Sequence, residues 1–374
     1  MPHTIPMVNL QAQYHRFKSD IDAAVVQVME SAAFIQGSEV KNFENALAKL
    51  LNVKHVISCA NGTDALQLAF MSLDLPEGSE IITPSFSYAA LAEVIYLLKL
   101  KPVFIDINEN SFLIDVNQIE QAITPKTKAI APVHLFGQVA NMEFILEIAK
   151  KHNLYVIEDN AQSLGAEYCS LGVSGFGGTL GHIGTTSFFP SKNLGCFGDG
   201  GAVFTDDDDL AIKIRMIANH GQAEKYKHQV IGINSRLDAI QAAILSVKLP
   251  HLKSFTKSRQ DVAHRYTQRF ESLDLFQVPQ NEMNATHVFN QYTITLKTKE
   301  DRDALKGKLG ENGIPSMIYY PIPLHKQVAY SQNASLPISE NICDRVLSLP
   351  ICPELSIENQ EYIINTILKF YQIK

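Results

Sequence analysis

Between residues 53 and about 205, short apolar runs alternate with stretches of helical periodicity. The runs fall at 53–58, 80–83, 102–106, 128–133, 154–158, 186–189 and 201–204, and each has the length of a strand buried on both faces. Stretches at 64–73, 88–98 and 142–152 carry apolar positions at helical spacing and are long enough for crossovers between parallel strands. The alternation predicts an α/β fold with a mainly parallel, doubly wound sheet. Near residue 254 the pattern changes: a helix over 259–270, a strand over 291–296, a helix over 299–312 and a last helix from 357 predict a smaller α+β unit. The expected domains are therefore residues 1–250 and 251–374, since 374 residues exceed one ordinary core.

Composition narrows the function classes. With 46% hydrophobic and 19% charged residues the chain can bury a large core, which excludes a disordered protein. A formal net charge of -7, with no long Lys/Arg cluster, argues against a nucleic-acid partner. Residues 1–20 carry no continuous apolar stretch, and no run anywhere is long enough to cross a bilayer, so a cytoplasmic protein without a membrane partner is expected. The cysteines Cys59, Cys169, Cys196, Cys343 and Cys352 are odd in number and lack CxxC spacing, which suggests neither a disulfide framework nor a zinc site. The acidic run 206–209 reads as a solvated helix start, and no metal is expected.

Two segments carry candidate chemistry. Lys192 closes the run Ser187-Phe188-Phe189-Pro190-Ser191-Lys192, and Asp159 ends the apolar run 154–158. Ligands in open α/β sheets collect beyond the carboxyl ends of such strands. A lysine that forms a Schiff base and a carboxylate that holds a pyridine nitrogen protonated are what pyridoxal phosphate requires. Between a strand and a helix, Asn61-Gly62-Thr63-Asp64 adds a phosphate site: Gly62 permits close backbone approach, and free amides at the helix start, with Thr63, face the anion. The glycine-rich stretch 172–181 matches neither a dinucleotide nor a Walker motif and reads as a mobile loop.

Taken with Glu158-Asp159-Asn160-Ala161-Gln162, Gly198-Asp199-Gly200-Gly201 and Tyr320-Pro321-Ile322-Pro323-Leu324-His325, these blocks resemble the DegT/DnrJ/EryC1/StrS family of nucleotide-sugar aminotransferases from about residue 5 onward. The resemblance implies a PLP-dependent aminotransferase of fold type I, with a large cofactor-binding domain, a smaller C-terminal domain, and a homodimer whose active sites lie at the subunit interface. It implies that Phe86 covers the cofactor ring, Gln162 meets its phenolic oxygen, and Ser187 joins Gly62 and Thr63 at the phosphate. Asn234 would reach the neighbouring subunit's phosphate, with Arg236 near the substrate. Tyr319, Tyr320 and His325 would contact the sugar, although Tyr319 stands where close relatives often have His. Retention of Lys192 favours transamination over sugar dehydration.

The same resemblance implies L-glutamate as donor and a nucleotide-linked keto-sugar as acceptor. The nearest branch aminates C3 of UDP-2-acetamido-2-deoxy-3-oxo-glucuronate for O-antigen or other surface polysaccharide. Alternatives are a dTDP-3-oxo-6-deoxyhexose as acceptor, a PLP-dependent lyase, and a non-catalytic PLP-binding regulator.

Overall fold

A computed structural model describes residues 5–373; residues 1–4 and 374, which the expected domain spans include, lie outside the described residues. The strands are β1 (His55–Cys59), β2 (Glu80–Pro84), β3 (Lys101–Ile105), β4 (Thr127–Ile130), β5 (Tyr155–Asp159), β6 (Glu167–Cys169), β7 (Ser174–Phe176), β8 (Ile183–Ser187), β9 (Gly201–Thr205), β10 (Gln222–Glu224), β11 (Lys227–His228), β12 (Tyr292–Thr295) and β13 (Val346–Leu349). Seven of them form one sheet in the order β1-β9-β8-β5-β4-β2-β3. Pairings from β3 through β8 are parallel, and β9 runs antiparallel to both β8 and β1. The β8–β9 connection contains no helix, so the chain returns directly beside the strand it left instead of crossing over. Lys192 lies in that return.

Helices cover both faces of the sheet, so its inner strands are buried on both sides: every residue of β2 and β9 is buried, Glu80 and Thr83 of β2 included. Ile81, Ile130, Val156, Ile183 and Val203 belong to the main core. Each contributes on the order of 2 kcal/mol through burial. A second core packs Tyr266 and Phe270 of the helix Leu252–Phe270 against the antiparallel pair β12–β13 and the helix Ile357–Phe370. Ile5, from the start of the described chain, joins this second core.

Two local expectations need correction. The strand expected at 186–189 is Ile183–Ser187, because the threonines that interrupt its apolar pattern are satisfied inside the sheet. Thr185 Oγ1 donates to the Glu158 carbonyl at 3.1 Å and Thr186 Oγ1 to the Asn160 carbonyl at 3.2 Å. The glycine-rich stretch is tied down: β6 and β7 form a hairpin, and the buried Glu158 carboxylate accepts N–H bonds from Gly178 (2.8 Å), Leu180 (2.7 Å) and Gly181 (2.5 Å). The His134 ring supplies a fourth contact, from Nε2 at 2.7 Å.

Candidate active site

The sheet's strand ends bring Asp159 and Lys192 into one electrostatic field. Asp159 is the last residue of β5 and is buried; one carboxylate oxygen accepts the Ala161 N–H at 3.0 Å, and the other receives no donor from the described residues. Desolvation pushes its pKa up, opposed by the Ala161 hydrogen bond and by the charges of Lys192 and His134. Lys192 is half-buried as a residue, while its amine is desolvated enough to fall from 10.5 to about 8, with Asp159 pulling the other way. No ion pair within 4 Å engages that amine among the described residues.

The phosphate candidates meet at the start of the helix Gly62–Ser72. Asn61 caps it, its side chain accepting from Asp64 N at 2.8 Å, and Ala65 N bonds to the Asn61 carbonyl. The Gly62 and Thr63 amides therefore remain without an acceptor among the described residues, at the positive end of the helix. A Cβ on Gly62 would lie 2.7 Å from Ser187 Cβ, so this glycine is required for β8 to come so close. The Ser187 hydroxyl accepts from Phe189 N at 3.2 Å, which leaves its proton free to donate.

Gln162 is buried and fixed at both ends: its Oε1 accepts from Phe136 N at 2.8 Å, and its Nε2 donates to the Tyr320 hydroxyl at 3.0 Å. Tyr319 and Tyr320 are adjacent half-buried rings, and burial raises both phenolic pKa values.

Two expected contacts do not fit the geometry. Phe86 is 0% exposed and packs against Phe112, Phe136 and Tyr320, so it has no face to offer a ring. Tyr88, two residues further on, is 62% exposed, with its ring 6.2 Å from that of Tyr320. His325 has no exposed surface either, and both its ring nitrogens are occupied, by Ser85 and Glu340, so it does not reach a sugar. The reading of the sequence missed Tyr88; the signal available was a second aromatic immediately before the helix Ala90–Leu97.

Asn234 and Arg236 make no hydrogen bond or ion pair to Lys192, Asp159 or Gln162. Asn234 is exposed and bridges to Asn219, while Arg236 lines a groove of about 400 Å³ with Lys41, Arg215 and Ser58. Ser235, between them, binds Ala60 N at 3.1 Å and so fixes the segment beside the end of β1. Among the described residues no helix is long and apolar enough to cross a membrane, and no group of three acidic, His or Cys side chains is arranged to hold a metal.

The donor set suits pyridoxal phosphate. Two uncommitted helix-start amides over a glycine cradle match a phosphate, an open buried carboxylate matches a pyridinium nitrogen, and a desolvated amine matches an aldehyde.

Comparison with known proteins points the same way. A pleiotropic regulatory protein of Geobacillus stearothermophilus is 46% identical, across 98% of this chain and 99% of its own. A UDP-N-acetyl-3-dehydro-alpha-D-glucosamine 3-aminotransferase of Acidithiobacillus ferrooxidans is 43% identical over 98% of this chain and 97% of its own. A UDP-2-acetamido-2-deoxy-3-oxo-D-glucuronate aminotransferase of Pseudomonas aeruginosa is also 43% identical, over 94% and 96%. The solved structure of NtdA from Bacillus subtilis, with the cofactor PMP bound, superposes with a TM-score of 0.91 at 31% identity, covering 99% of this chain and 85% of that one. The model of the DegT/DnrJ/EryC1/StrS aminotransferase family matches residues 15–368, and the chain belongs to that family.

Proposed function

We propose that this aminotransferase uses pyridoxal 5′-phosphate to move an amino group from L-glutamate to C3 of a UDP-linked 2-acetamido-3-oxo sugar, UDP-2-acetamido-2-deoxy-3-oxo-glucuronate in the first instance, for surface polysaccharide. The observation that carries the chemistry is the pairing of Asp159 with a Lys192 amine lowered to about 8. Two relatives at 43% identity, named for UDP-linked 3-oxo 2-acetamido sugars, support the acceptor class. A dTDP-3-oxo-6-deoxyhexose is the alternative acceptor.

When bound, the cofactor supplies an electron sink that stabilises negative charge at the α carbon of the donor. The chain's part is to hold it and to move protons. The Gly62 and Thr63 amides and the Ser187 hydroxyl bind phosphate, the open oxygen of Asp159 holds the proton on the pyridine nitrogen, and the second N–H of Gln162 Nε2 donates to the phenolic oxygen. Tyr88 replaces Phe86 as the ring's aromatic cover. Lys192, released as a free amine, takes a proton from the donor's α carbon and delivers it to the cofactor's C4′, then reverses the transfer for the keto-sugar. An amine titrating near 8 is partly unprotonated at neutral pH and can serve as this base. Asn234 and Arg236, which bond to none of Lys192, Asp159 and Gln162, act in the neighbouring subunit's site of a homodimer.

The relative named as a regulator, at 46% identity, favours a second reading in which the bound cofactor is not turned over. Incubation with glutamate and a panel of UDP- and dTDP-linked 3- and 4-keto sugars, with products read by mass and NMR, separates these readings. A UDP-linked 3-amino sugar is expected. Amination of dTDP-linked sugars alone would overturn the acceptor, and no amino sugar from any member would favour the regulator.

A further inference from the structure

His325 sits in the short 3-10 turn Leu324–Lys326, fully buried, and holds three segments at once. Its Nδ1 lies 2.7 Å from Ser85 Oγ and its Nε2 3.1 Å from Glu340 Oε1. The Ser85 hydroxyl oxygen also accepts the His325 backbone N–H at 3.2 Å, and the Ser85 carbonyl accepts the Leu324 N–H at 2.8 Å. With that hydroxyl oxygen already accepting, its proton goes to Nδ1, and Nε2–H donates to the Glu340 carboxylate; the tautomer is assigned from this network. One imidazole thus joins the exit of β2, the loop 319–326 and the helix Pro337–Arg345.

A serine, a histidine and a glutamate in this order resemble a hydrolytic relay, but Ser85 is 0% exposed and its hydroxyl has no route to a substrate. The group works instead through what it holds. Ser85 leads directly to Tyr88, and His325 follows Tyr320, whose hydroxyl accepts from Gln162. The far anchor is itself fixed: the Asp106 carboxylate accepts the Ile338 and Ser339 N–H groups and the Ser339 hydroxyl at 2.6–2.9 Å. Removing the imidazole would leave Ser85 and Glu340 without their shared partner, so that only the Leu324 and His325 backbone N–H bonds to Ser85 tie the turn to the end of β2.

We propose that His325 is a positioning residue that holds the Tyr320 segment against the end of β2 and the helix Pro337–Arg345, and that it thereby sets affinity for the nucleotide-linked sugar without altering proton transfer at Lys192. The sugar part rests on the function proposed above. Lys192 and Asp159 share no bond with the clamp, and Gln162 keeps its anchor at Phe136 N when Tyr320 moves.

The test compares wild type, His325→Ala and Ser85→Ala, which removes both bonds to the Ser85 hydroxyl but keeps the imidazole on Glu340 and guards against a folding failure. Hydrogen exchange by mass spectrometry, titration with UDP-N-acetylglucosamine, and 2-oxoglutarate release from glutamate alone are measured on the PLP-loaded proteins. In His325→Ala, exchange quickens in 319–326, affinity for the UDP-sugar falls at least about tenfold, and glutamate turnover at saturating PLP stays within about threefold of wild type. Ser85→Ala gives a smaller loss of the same pattern. Unchanged exchange in 319–326, unchanged UDP-sugar affinity, or an equal loss of the glutamate reaction would overturn the proposal. Failure of the wild type to release 2-oxoglutarate or to bind the UDP-sugar counts against the functional reading, and the exchange pattern alone then decides the clamp.

Discussion

Asp159 and Lys192 each occupy a position where burial disfavours their charge, and each is a charge that opposes the other's desolvation. Labelling the amine of the apoprotein with acetic anhydride across pH should therefore give a Lys192 midpoint near 8 instead of 10.5. In Asp159→Asn the negative charge that raises the amine's pKa is gone, so the midpoint should fall further. An unchanged midpoint in that variant would mean that the two groups do not share a field.

The same shift predicts a stability effect with a definite sign. The folded pKa of Lys192 lies below its unfolded value, so the unfolded chain binds the proton more tightly. The resulting destabilisation is absent above about pH 10.5, grows as pH falls, and is complete below about 8. Apoprotein carrying Lys192→Met should melt at a higher temperature than wild type at pH 7, and the advantage should shrink at pH 9.5. A constant difference across that range would contradict the desolvation argument.

Phe86 and Tyr88 should respond oppositely to truncation. Phe86→Ala empties a fully buried site and should cost about 3–5 kcal/mol in denaturant unfolding. Tyr88→Ala removes an exposed ring; it should leave stability within about 1 kcal/mol of wild type while weakening PLP binding. Equal destabilisation by both changes would return the ring-covering role to neither residue.

Much of this was legible in the sequence, for reasons that particular residues make plain. The apolar centres of β2, β5 and β9, around Ile81, Val156 and Val203, are buried on both faces, so composition marks them. β8 was displaced because Thr185 and Thr186 look polar until the carbonyls they bond are known. Phe86 and Tyr88 are both aromatic, and only the bend after Pro84 sends one into the core and the other toward solvent. A histidine that contacts a sugar and one that clamps the fold read alike when the partner, Ser85, is 240 positions away.

Gly62→Ala probes the phosphate cradle. The new Cβ would press on Ser187 Cβ at 2.7 Å, displacing the helix start or β8 and with it the free amides. PLP affinity should drop at least about tenfold, roughly 1.4 kcal/mol, in a fluorescence titration, and the Tm of the apoprotein should fall with it. Full retention of affinity would remove Gly62 and Thr63 from the phosphate site.

The most direct measurement is borohydride reduction of the PLP-loaded protein, with and without prior L-glutamate, followed by peptide mass spectrometry. A phosphopyridoxyl group on Lys192 alone is predicted, lost when glutamate is added first and matched by an equal amount of 2-oxoglutarate. A label on another lysine, or a Lys192 label that glutamate does not remove, would contradict the account.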